Sequence, residues 1–143
     1  MVKNEVPVHV NVSTQIKQGN ELEEFTIETT GNFTVIGDVG YLRYYEKYTD
    51  QADALVTLKF KDEQLQLTRR QEDLLLRMIF DKQTRQRANY RIGANNLSLE
   101  TLTQDLQINL IAPQNSGAVL VDYQLHSGHE LLGEYKIRLQ FNA

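Results

Sequence analysis

Hydrophobic and polar residues alternate with a period of two along most of this chain. Val6, Val8, Val10 and Val12 alternate with His9, Asn11 and Ser13, so residues 6–17 read as a half-buried strand. Gln18, Gly19 and Asn20 supply a turn, and 22–30 follows as a strand with Phe25 and Ile27 opposite Glu24, Thr26 and Glu28. Gly31 and Asn32 read as a second turn before 33–35, and 37–40 as a tight loop whose glycines permit positive φ.

The next strand, 41–48, holds four of the chain's seven tyrosines. Its two faces are Tyr41, Arg43, Tyr45 and Lys47 against Leu42, Tyr44, Glu46 and Tyr48, and neither is cleanly apolar. The alternation there does not say which side faces in. Strand 54–61 is plainer, with Val56, Leu58 and Phe60 inward and Thr57, Lys59 and Lys61 outward. Asp62 and Glu63 turn the chain into 64–70, where Leu65 and Leu67 face in, and 71–73 turns it into 74–80. In 74–80, Leu74, Leu76, Met78 and Phe80 form the inner face. Residues 82–91 then read as a basic loop that returns as a strand at Tyr90 and Arg91.

Residues 97–111 fit two patterns. Leu99, Leu102, Leu106 and Leu110 suit a helix face, with Asn96 or Ser98 as a cap. As strand, Leu97 and Leu99 have one parity and Leu102, Leu106, Ile108 and Leu110 the other, which requires a bulge or turn near 100–105. Strand is preferred, because Thr101, Thr103 and Asn109 are mediocre helix formers. After a loop at 113–117, Val119, Val121, Tyr123 and Leu125 face in along 118–126. A turn at 126–130 leads to the cleanest alternation, Tyr135, Ile137, Leu139 and Phe141 against Glu134, Lys136, Arg138 and Gln140.

Roughly ten short strands at regular spacing indicate an all-β barrel or sandwich. Short connections favour a single antiparallel meander, and closure would remove exposed edges. One domain spans residues 1–143. At 143 residues it can bury roughly 68–70% of its unfolded surface.

Composition narrows the function classes. Without cysteine there is no disulfide scaffold, thiolate metal site or cysteine nucleophile. No run approaches the ~18 apolar residues of a membrane span. The amino-terminal stretch, MVKNEVPVHVNVS, alternates like a strand and lacks the apolar core of a signal peptide. Three Asn-x-Ser/Thr triplets, at Asn11, Asn32 and Asn96, therefore carry no weight. The expectation is a cytoplasmic, bacterial-type protein. The net charge is −4, with 4 basic and 8 acidic residues in 1–50 but 9 and 7 in 51–100. Lys82, Arg85, Arg87 and Arg91 follow one another without an intervening acid.

The order of several features resembles the YwiB-like family of small bacterial proteins. These are the amino-terminal valine strand, Gly31 followed by Tyr41-Leu42-Arg43-Tyr44-Tyr45-Glu46, and an arginine at 69 or 70 ending a hydrophobic strand. Met78-Ile79-Phe80, Tyr90-x-x-Gly93 and Val121-Asp122-Tyr123 before the closing strand complete the set. The basic 82–91 stretch and 95–98 depart from it. The resemblance implies a calycin-like barrel, akin to lipocalins, of about eight to ten antiparallel strands with room for a small ligand. It implies no activity and no catalytic residues.

The chemistry is sparse. No Gly-x-Ser-x-Gly elbow, His-Glu-x-x-His or phosphate loop is present, so the expectation is a protein that is not an enzyme and needs no cofactor. His126 and His129 around a Ser-Gly turn match no zinc spacing, and no metal is expected. Tyr44, Tyr45, Glu46 and Arg43 combine rings with polar tips, as a ligand-binding barrel mouth does. By the parity of Leu65 and Leu67, Arg69 points inward and needs a partner, either Glu46 or an anionic ligand, unless it sits at the strand end and reaches solvent. Arg77, Tyr90 and Arg91 complete the candidate ligand-binding residues.

Two functions remain. The first is a barrel binding a small, partly apolar molecule, with an anion among the candidates, which requires a real cavity. The alternative is a filled barrel that uses loop 82–91 to hold a protein or RNA, although the acidic pI argues against nucleic acid. A homo-oligomer is compatible with either.

Overall fold

The computed structural model describes residues 5–82 and 84–143. The start of the amino-terminal stretch, and Gln83 of the basic connection, lie outside the described residues. Ten strands follow in order: β1 Val6–Gln18, β2 Glu21–Ile36, β3 Val39–Glu46, β4 Ala54–Lys61 and β5 Gln64–Gln71. Then come β6 Leu74–Asp81, β7 Arg85–Ile92, β8 Asn95–Ile111, β9 Ser116–Ser127 and β10 Glu130–Asn142. Each pairs antiparallel with its neighbours in sequence, and β10 returns to β1, so the sheet closes as a meander barrel. A single 3₁₀ turn, Ala112–Gln114, links β8 to β9.

Alternation drives this closure. On β1, β4, β9 and β10 every buried residue lies on the inner parity and its neighbours do not share that burial, as the period-two pattern requires. Residues 97–111 are strand, with a bulge between Thr103 and Asp105. The bulge comes after Thr103, so Thr101 and Thr103 are wholly buried beside Leu99, and Leu106 resumes the inner face beyond it. Leu102, grouped with Leu106 by spacing alone, falls on the outer side.

One expected turn is absent and another is shorter than expected. β2 runs straight through Gly31 and Asn32, where Gly31 sits opposite both Val8 and Tyr44. A Cβ at Gly31 would run into the Arg43 carbonyl oxygen, so this glycine serves close approach of β2 to β3. Gly31→Ala is therefore expected to cost about 2–3 kcal/mol, read as a lower urea midpoint at unchanged m. The 37–40 loop shrinks to Gly37 and Asp38, since Val39 and Gly40 already belong to β3.

The basic segment also differs from expectation. Residues 85–91 are not loop but β7, paired with β8 from Arg85 opposite Leu102 to Ile92 opposite Asn95. Gln86, Ala88 and Tyr90 supply its inward alternation, and two of these are too polar or too small to signal it. Arg85, Arg87 and Arg91 all point outward and are exposed.

One end of the barrel is packed solid. Phe33, Phe80, Phe141, Leu42, Leu65 and Leu139 are essentially inaccessible there, and the Phe33 and Phe141 rings lie 4.8 Å apart. The opposite end is formed by the hairpin tips at residues 19–20, 47–53, 72–73, 93–94 and 128–129. Toward that end the interior becomes polar and less filled.

Candidate functional site

Register places the site. Tyr44 of β3 lies opposite Val56, Val56 opposite Arg69, Arg69 opposite Leu76, and Leu76 opposite Tyr90. One inward-facing row therefore carries Tyr44, Arg69 and Tyr90 across five strands, with Glu46 two residues nearer the open end. Arg69 does face in, and its partner is Glu46: Nη1 lies 2.7 Å from Oε1. Arg69 Nη2 also donates to the Tyr48 hydroxyl at 2.6 Å, and that hydroxyl donates to Glu46 Oε1 at 3.1 Å. Three side chains thus form a closed triangle in which positive and negative charge cancel. Its members are unequally wetted, the Glu46 side chain being 7% exposed and Arg69 28%.

Beside this triangle lies an interior cavity of about 160 Å³. Leu67, Leu76, Met78, Val121 and Ile137 supply apolar wall, while Tyr44, Glu46 and Arg69 supply the polar part. Tyr123 and Tyr135 form the far wall, stacked at 4.9 Å, with Phe80 at 4.6 Å from Tyr123. Burial pushes the Tyr44 hydroxyl pKa up strongly, with the Glu46 carboxylate adding to the effect and Arg69 opposing it. Burial does the same for Tyr123, aided by Tyr135 and opposed by Arg69. Tyr48 is raised by burial and by Glu46 against the pull of Arg69; Tyr135 is raised by burial against a hydrogen bond with Gln18. All four are neutral phenols at neutral pH. At the mouth, inward-facing Phe25, Ile92 and Leu97 remain 41%, 41% and 54% exposed.

The candidate residues separate into two groups. Tyr44, Glu46 and Arg69 come together at the cavity, and half-buried Tyr90 faces in at the same level and packs on the core. Arg43, Tyr45, Arg77 and Arg91 do not join them, because pairing of Leu42 and Tyr44 with core residues turns the odd-numbered residues of β3 outward. Arg77 and Arg91 take the outer parity of β6 and β7. Arg43 and Tyr45 instead border an open outer hollow of about 600 Å³ near Gly31 and Leu55. Tyr48, Tyr123 and Tyr135, outside the candidate set, also border the triangle or the cavity. For Tyr123 and Tyr135 the signal existed, since both lie on inward faces.

Other features are accounted for locally. His126 Nε2 is 3.0 Å from Gln124 Oε1, and His129 is exposed in the following turn. Among the described residues no group of three or more His, Cys, Asp or Glu could hold a metal ion. Lys82 lies 3.5 Å from Asp105, and Arg85 3.5 Å from Glu100.

Three comparisons agree on the family and the fold. A family model described as a domain of unknown function, DUF1934, matches residues 10–139. The chain is similar to the uncharacterized beta-barrel protein YwiB of Bacillus subtilis (strain 168), with 26% identity over 129 residues. That match covers 90% of this chain and 88% of the relative. The crystal structure of the ywiB protein from Bacillus subtilis superposes with a TM-score of 0.84 at 21% identity, covering 99% of this chain and 94% of that one.

Proposed function

Because the chain belongs to the DUF1934 family, which brings no activity to transfer, we propose its role from its own geometry. The barrel binds one small, uncharged, mostly apolar molecule in the cavity beside Arg69, Glu46 and Tyr48. The observation that carries this is the contrast between the two ends of the interior. One end is packed to inaccessibility, while the other keeps a void of about 160 Å³ with the Arg69–Glu46 pair on its wall. Voids larger than a water molecule are few in protein interiors, and one edged by convergent polar groups suits a ligand.

Size and charge define the ligand class. A dry cavity of about 150 Å³ accommodates benzene, so the occupant has roughly six to ten non-hydrogen atoms. It is neutral, because an anion would have to displace Glu46 from Arg69 and a cation would have to displace Arg69 from Glu46. One hydroxyl or carbonyl on the ligand reaches the triangle, and the rest meets Leu76, Met78 and Val121.

The role is binding, not catalysis. Glu46 is committed to Arg69 and Tyr48, and the buried tyrosines offer no base or nucleophile at neutral pH. The alternative, a filled barrel holding RNA or protein through 82–91, is weaker. It needs a filled interior and a free basic loop, whereas these cations lie mostly on a strand and two of them meet carboxylates.

Calorimetric titration with 4-methylphenol and with 4-methylbenzoate tests this. The phenol should bind at one site with a dissociation constant of about 0.1–1 mM, and the carboxylate at least tenfold more weakly. Val121→Phe together with Leu76→Phe, which fills the void, should hold or raise stability while abolishing the binding. Absence of saturable heat, or binding unchanged in the filled variant, overturns the reading.

A further inference from the structure

The barrel closes, yet one strand keeps a long free edge. β2 has 16 residues and pairs with β1 over Glu21–Phe33, whereas β3 covers only Gly31–Ile36. Among the described residues, no strand pairs with the other side of β2 between Glu21 and Thr30. A side-chain bond from Thr29 Oγ1 to the Tyr45 carbonyl, 3.1 Å, marks where β3 turns away. Beyond that point, alternate backbone N–H and C=O groups of β2 face outward with no ladder partner. An edge of this kind is a template for strand addition.

Its side chains define what fits. The stretch carries Glu21, Glu23, Glu24 and Glu28 with no lysine or arginine, and residues 21–26 are all exposed. Among the described residues none of these carboxylates is in an ion pair. Glu24 and Glu28 share the outer face, while Phe25 and Ile27 share the inner one. A second copy of this edge would set glutamate against glutamate, which opposes self-pairing.

We propose that the free edge of β2 accepts an extended, basic segment of another protein as an added strand. Its lysines or arginines pair with Glu24 and Glu28 on the outer face, and its alternate apolar side chains lie against Phe25 and Ile27. Main-chain hydrogen bonds supply the attachment and the glutamates supply the selectivity. The inference is independent of the ligand proposed for the cavity.

Amide hydrogen exchange of the full chain tests it, with a synthetic peptide of roughly nine alternating lysines and valines, long enough to span the edge. Peptide addition should slow exchange between residues 21 and 30, and a glutamate–valine peptide of the same length should not. Glu24→Lys with Glu28→Lys should weaken binding by about tenfold. The charge swap in the peptide gives the same test without altering the protein. No slowing, equal slowing by the acidic peptide, or indifference to the charge reversal overturns the proposal. So does prior protection of these amides in a self-associated free protein, which would place a second copy on the edge.

Discussion

Arg69→Met should lower the stability of the barrel by about 3–4 kcal/mol, roughly twice the loss caused by Glu46→Gln. The asymmetry follows from where each partner sits. The Glu46 side chain is 7% exposed, so removing Arg69 leaves a carboxylate that water hardly reaches, with, among the described residues, the Tyr48 hydroxyl alone to bond it. Arg69 is 28% exposed and reaches solvent along its stem when Glu46 is neutralised, and glutamine still accepts its N–H. The double variant Arg69→Met/Glu46→Leu should recover most of the loss, because two charges and their desolvation leave together. Urea unfolding of the three variants at neutral pH measures this. Losses that are small and equal, below about 0.5 kcal/mol, would mean that the pair behaves as a screened surface contact.

Alkaline pH should produce a second large effect. Tyr44 and Tyr123 have folded-state pKa values raised above the ordinary 10.0, chiefly by burial. In the unfolded chain both ionise near the ordinary value, while in the barrel they stay protonated. Their contribution to stability is therefore complete below pH 10 and is lost as pH rises from there toward the folded-state values. Each lost proton costs about 1.4 kcal/mol per pH unit, so these two tyrosines together remove about 3 kcal/mol per unit above pH 10. Tyr48 and Tyr135, raised less deeply in the interior, add to the slope. Urea midpoints across this range, with tyrosinate absorbance recorded on the same samples, check it. Tyr44 and Tyr123 should ionise only as the chain unfolds. Full tyrosinate absorbance from a still-folded barrel would contradict the burial of both rings.

Much of this architecture is written in local alternation. Val56, Leu58 and Phe60, or Tyr135, Ile137, Leu139 and Phe141, have only one way to bury their apolar face, and the strands they form are the ones observed. The inward direction of Arg69 was legible for the same reason, since parity carries over from Leu65 and Leu67, but its pairing with Glu46 was not, because alternation on the tyrosine strand does not show which face is inside. Legibility fails where a residue's role depends on a neighbouring strand. Gly31 looks like a turn residue, and only the approach of the Arg43 carbonyl shows why a strand needs it there. Ala88 and Gln86 hide the inner face of β7, which made a strand look like a basic loop. Tyr48 follows the end of β3, where alternation has no authority, yet it completes the triangle. The cavity and the free edge are out of reach of any local pattern. The first is a difference between summed side-chain volumes from many strands, and the second comes from β2 having twice the length of β3.

The proposed ligand site rests on whether the space beside Arg69, Glu46 and Tyr48 can be entered and filled. Methyl-resolved NMR of the intact protein, titrated with 4-methylphenol, addresses this directly. Saturable shifts should be confined to residues that line the cavity, Leu67, Leu76, Met78, Val121 and Ile137 among them, and should vanish in the Val121→Phe/Leu76→Phe variant. Methyls at the packed end that do not line the cavity, such as Val10 and Leu42, should serve as unmoved references. Shifts scattered over the outer surface, or cavity methyls that stay still as the phenol saturates, would contradict an interior binding site.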